Sequence, residues 1–214
     1  MAGFEGPSDE VQRTSGVPVI GVLLRASGLG YTVLDLVGNS VIASLPGAPT
    51  GDDSAIAPFF DRHEATIALM AWVIAIGAMF LAVFGVTVRR YLHDSITTDL
   101  VAASGVMAAA ILGSSSGVLL AGVGQRSHEQ ATVFWDLWNA GVVATLPAAV
   151  MVMAISVATR REHARPAWIW RTGFPLAVLC LVPHIGWVNL KLFPLWVGAL
   201  SVSLLRGRRW SLRP

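Results

Sequence analysis

The chain has 214 residues, of which 54% are apolar and only 13% charged, with a net charge of +2. A soluble domain carries about a quarter charged residues, so most of this chain lacks a water-facing side and reads as a polytopic membrane protein. The pI near 9.2 reflects a small excess of arginines in short loops and the tail, which fits membrane orientation and excludes a nucleic-acid footprint. Cys180 is the only cysteine, so neither a disulfide framework nor a cysteine metal site forms within one chain.

In chain order, residues 1–17 read as a flexible cytoplasmic segment without a signal-peptide pattern. Residues 18–206 read as a single transmembrane helical domain, and 207–214 as a basic cytoplasmic tail. Six apolar runs, near 18–45, 65–88, 97–123, 131–158, 168–186 and 190–206, approach the length needed to cross a core of about 30 Å. The expected fold is therefore an all-α bundle of about six helices. The last two runs are short and their turn is bracketed by Pro183 and Pro194, so they read either as two spans or as a re-entrant pair. "SHEQ" before the fourth run is a capping-box pattern, with Ser127 facing Gln130.

With the N-terminus inside, Arg13, Arg89, Arg90, Arg160, Arg161, Arg165, Arg171, Arg206, Arg208, Arg209 and Arg213 are cytoplasmic. Only Arg62, Arg126 and Lys191 are then external. The positive-inside rule places both termini in the cytoplasm of a multi-pass cell-membrane protein.

The first run carries one polar stripe, Ser27, Tyr31, Asp35 and Asn39, at four-residue spacing. Asp35 lies about 15 Å along the axis from the end of its run, deep in the hydrocarbon. A carboxylate there costs at least roughly 2.5–3.5 kcal/mol, so it must face protein or water and be neutral or hydrogen-bonded. It reads equally as a structural lock and as a functional group. Arg25, some 15 Å away in height, cannot pair with it and reaches instead for headgroups or Asp99.

The third run sets Gly105, Ala109, Gly113, Gly117 and Ala121 at every fourth position, which reads as a helix-packing stripe. "GSSSG" within it matches the nucleophile-elbow pattern, but that elbow needs a strand-to-helix turn and no catalytic residue is assigned. Asp136 sits about 7 Å inside the fourth run between Trp135 and Trp138, a pair typical of the headgroup belt. Asp136 is most simply a wet residue at the boundary.

Asp35, Asn39, Ser115, Asp136, Asn139 and His184 all fall in the outer halves of their runs, which suggests an outward-opening polar cavity that Tyr31, one turn from Asp35, would join. His63, His128 and His184 share the outer face without any metal-ligand spacing, so no metal or cofactor is assigned.

"EATIALMAWVIAIGAMFLAVFGVTVRRYL" and "RPAWIWRTGFPLAV…FPLWVGALSVSLLRGRR" resemble the second helix and final hairpin of small uncharacterised integral membrane proteins of high-GC bacteria. The resemblance covers about half the chain and implies about six helices with no established activity.

The leading expectation is a small transporter or permeation protein built around Asp35, with a small molecule or ion as ligand. A non-enzymatic membrane scaffold or accessory subunit is the alternative, and an intramembrane enzyme or metal or haem protein the third. Expected partners are the lipid bilayer and either a second copy or another membrane protein, with no nucleic acid.

Overall fold

Apolar runs punctuated by proline become helices wherever the backbone has no other way to satisfy its N–H and C=O groups in lipid. A computed structural model describes residues 17–47, 49, 53–92, 96–123, 127–161, 166–182 and 186–206. The segments 1–16 and 207–214 lie outside the described residues, and so do Arg13, Arg126, Arg165, Arg208, Arg209, Arg213, Pro183 and His184.

The described residues are all helical, without strands: α1 (Val17–Ser44), α2 (Ile56–Arg89), α3 (Ile96–Gly122), α4 (His128–Asn139), α5 (Thr145–Arg161), α6 (Trp168–Cys180) and α7 (Gly186–Leu205). A 3-10 turn, Ala140–Ala144, joins α4 to α5, so the two run on as one broken span and the bundle has six helices. Three of them, Ile56–Arg89, Ile96–Gly122 and Glu129–Arg161, are long and apolar enough to cross a membrane. α1 is 28 residues long but carries Arg25 and Asp35, whereas α6, at 13 residues, reaches only about 20 Å.

Two boundaries and one bend differ from the sequence reading, each at a local feature. α2 starts at Ile56 rather than near residue 65, because Pro58 falls in the first turn, where its missing N–H costs nothing. The early turns of α2 bend at His63 (φ −119°, ψ 16°), whose Nε2 donates to the Pro46 carbonyl at 2.9 Å. The fourth span is not one continuous α-helix: Pro147 has no N–H for the carbonyl of Val143, and the chain tightens to 3-10 just ahead of it. Ser127 does take the N-cap position with extended backbone, but its side chain makes no capping bond.

α2 lies between α1 and α3. On one side, Gly77 admits α1, since a Cβ there would stand 3.2 Å from Leu34 Cβ. On the other, Gly85 and Gly105 meet backbone to backbone, a Cβ on Gly105 standing 3.2 Å from Gly85 Cα. Such contacts let dispersion hold helices together where lipid supplies no hydrophobic drive.

The small-residue series of α3 serves this contact only at one end. Gly105 and Ala109 are buried, a Cβ on Gly113 would stand 4.0 Å from Ala78 Cβ, and a Cβ on Gly117 would meet nothing within 4 Å. Ala121 is exposed. Four-residue steps turn about 40° each, so five positions sweep roughly 160° and leave the contact. The buried line runs instead through Val101, Gly105, Ala108, Leu112, Ser116 and Leu119.

α7 closes the bundle against α1 and α6. The Thr32 hydroxyl lies 2.6 Å from the Pro194 carbonyl, over Gly198, where a side chain would collide with it. Trp196 Nε1 donates to Thr172 Oγ1 on α6 at 3.1 Å.

Candidate functional site

The buried hydroxyls set the standard against which Asp35 is judged. Thr87, Ser116, Ser156 and Thr159 each donate to the carbonyl one turn back, at 2.7–2.9 Å. Ser104 does the same with Leu100. These side chains satisfy themselves within their own helices and need no partner elsewhere.

Asp35 does not follow that pattern. It is 2% exposed, and its Oδ2 is sealed from solvent with no hydrogen-bond partner among the described residues. Asn39, one turn on, turns its amide back to the Asp35 backbone carbonyl at 3.0 Å. Tyr31, one turn before, is buried with its ring 5.9 Å from that of Phe193 on α7. The Asp35 carboxyl and the buried Cys180 thiol of α6 both lie within electrostatic reach of the Tyr31 phenol. The Asn39 amide also stands close enough to the Asp35 carboxyl to act on it as a hydrogen-bond donor, so only Oδ2 is left over. Lys191, exposed on α7, donates from its ammonium to Ser40 Oγ at 2.9 Å.

A small pocket of mixed polarity, with Ile74, Leu112 and Val142 among its walls, lies one turn of α1 from this group, at Asn39. Asn39 of α1, Ser115 and Ser116 of α3, Trp138 and Asn139 of α4, and Gly141 of the 3-10 turn line it. Its volume is about 20 Å³, enough for a single water. The break between α4 and α5 builds this pocket, because Gly141 has no side chain and Ser115 packs where a Cβ would stand, 2.5 Å from its Oγ. Asp35 is not among the lining residues.

Of the expected cavity residues, the structure brings Asn39, Ser115 and Asn139 together and seals Asp35 one turn of α1 away. Tyr31 faces α7, Asp136 is exposed and away from the pocket, and His184 lies outside the described residues. No three His, Cys, Asp or Glu side chains among the described residues stand where they would hold one metal.

Two features were not anticipated from sequence. Trp135 is not a simple belt residue: it packs against Phe59 (5.7 Å), Phe60 (6.1 Å) and Trp138 (5.0 Å), forming an aromatic lattice between α2 and α4. The signal was Pro58 ahead of Phe59 and Phe60, a helix-start pattern within what reads as a loop. Arg25 does not reach Asp99, which Arg89 already holds at 2.7 Å. Arg25 Nε instead donates to Tyr91 Oη at 2.6 Å.

Comparisons of the chain with family profiles, curated proteins and solved structures returned no match. The fold and the site stand on their own geometry.

Proposed function

We propose that the chain is a multi-pass protein of the cell membrane, with both termini in the cytoplasm, that passes protons by way of Asp35. One observation carries this reading: the deeply buried Oδ2 of Asp35 has no hydrogen-bond partner among the described residues, whereas buried hydroxyls of the bundle close onto carbonyls of their own helix or, at Thr32 and Ser201, of the facing one. A carboxyl kept only to lock helices would be expected to have its oxygens satisfied, since an unmet buried acceptor costs about 1–3 kcal/mol. Intramembrane acids mark ion and proton paths for the same energetic reason. The pocket one turn away, with room for one water, suits a proton and is too small for an organic solute. Asn39, Ser115 and Asn139 would hold that water.

The test is flux in sealed proteoliposomes carrying an internal pH dye, driven by an imposed potential. Wild type is expected to dissipate the gradient, and Asp35→Asn to fall to the level of empty vesicles. Equal flux through both proteins would reject the proposal.

The scaffold reading has one observation in its favour: the pocket does not include Asp35, and the α1–α2–α3 contact is tightly packed. It predicts no flux from either protein and full retention of fold in both.

A further inference from the structure

The face of α2 opposite its glycine contacts carries a second feature, unrelated to Asp35. Ala82, Val83, Val86 and Thr87 form the floor of a groove of about 320 Å³, with Leu24 of α1 on one wall and Val106 of α3 on the other. These floor positions follow i, i+1, i+4 and i+5, so they share one helix face. Val83, Val86 and Val106 are 40%, 43% and 45% exposed. Thr87 adds no free polarity, because its hydroxyl is spent on the Val83 carbonyl at 2.7 Å.

One end of the groove is different. Arg90 lines it there, two turns of helix (about 12 Å) beyond Ala82, at the residue that closes α2. The neighbouring arginine is committed, Arg89 being paired with Asp99. The Arg90 guanidinium is exposed and has no acidic partner among the described residues. A long apolar trough ending in a cation without an acidic partner among the described residues complements an anionic amphiphile.

We infer that this groove binds an anionic phospholipid, its acyl chain lying along Ala82, Val83 and Val86 and its phosphate held by Arg90. Guanidinium matches phosphate through paired N–H donors, and anionic headgroups gather where basic residues flank a span. The inference rests on the chain being embedded in a bilayer and not on any role of Asp35.

Native mass spectrometry of the purified full chain tests it, with dioleoylphosphatidylglycerol and dioleoylphosphatidylcholine offered at equal concentration. Wild type should retain one phosphatidylglycerol in preference to phosphatidylcholine. Arg90→Gln should reduce that preference by about fivefold or more, the share one basic residue holds at an anionic surface. Arg161→Gln removes the same charge from another exposed helix end and should leave the preference unchanged. Val86→Trp, which fills the floor, should lower occupancy while keeping Arg90. Asp35→Asn should bind as wild type does, so failure of the proton-pathway proposal leaves this one standing. Equal losses from Arg90→Gln and Arg161→Gln, or no headgroup preference in wild type, would overturn the site.

Discussion

The α2–α3 contact and the surroundings of Asp35 lie in the same bundle but are built on opposite terms. At the first, two glycines bring backbones together and the nearby hydroxyl of Ser104 is satisfied within its own helix. At the second, a carboxyl oxygen is buried without a hydrogen-bond partner among the described residues, one turn of α1 from a pocket with room for one water. The contrast separates residues that make the bundle from a residue the bundle must accommodate. Packing alone explains the first region. It leaves the second unexplained, and unsatisfied buried polar groups of that kind point to function or to exchange with water.

The largest expected effect breaks the first region. Gly105→Leu drives a side chain into the Gly85 backbone and should cost at least about 3 kcal/mol, the upper end of overpacking penalties. It should appear as loss of monodisperse protein in detergent. Gly117→Leu adds the same bulk where nothing lies within 4 Å, and its melting temperature should match wild type.

Next in size is a change of opposite sign. Asp35→Leu removes the unpartnered oxygen and should stabilise the protein by about 1–3 kcal/mol in thermal melts while abolishing flux. A destabilised Asp35→Leu would mean that the carboxyl is paired after all, and the contrast between the regions would collapse.

Thr32→Val is milder. It deletes the bond to the Pro194 carbonyl that ties α1 to α7, and about 1 kcal/mol should be lost on detergent unfolding. Ser116→Ala should be smallest, within about 0.5 kcal/mol, because that hydroxyl serves only its own helix. A larger loss at Ser116 than at Thr32 would show that self-bonded hydroxyls also hold helices together.

Much of this was legible beforehand. Apolar run length placed the helices, and four-residue spacing found Asp35 and a series that includes Gly105, but it gave equal weight to Gly113 and Gly117, which make no close contact, and missed Gly77 and Gly85, which do. Spacing did not show where the α3 series would leave its neighbour, because the 40° drift per step becomes visible only against a fixed partner. The break at Ala140–Ala144 had a signal in Pro147 that the hydropathy of the run concealed. The polar residues of the outer half were gathered correctly only in part. Sequence gives depth along each helix but not azimuth relative to other helices, so Asn39 and Asn139 meet at the pocket while Asp136 faces away.

The central claim is that the Asp35 carboxyl exchanges protons, and infrared difference spectroscopy reads that directly. Spectra of the reconstituted protein taken across roughly pH 5 to 9, where a working proton carrier must titrate, should be compared with those of Asp35→Asn. The account predicts a carboxyl stretching band that changes with pH in wild type and is missing from the variant. A wild-type spectrum in which no band assignable to Asp35 moves over that range would contradict it.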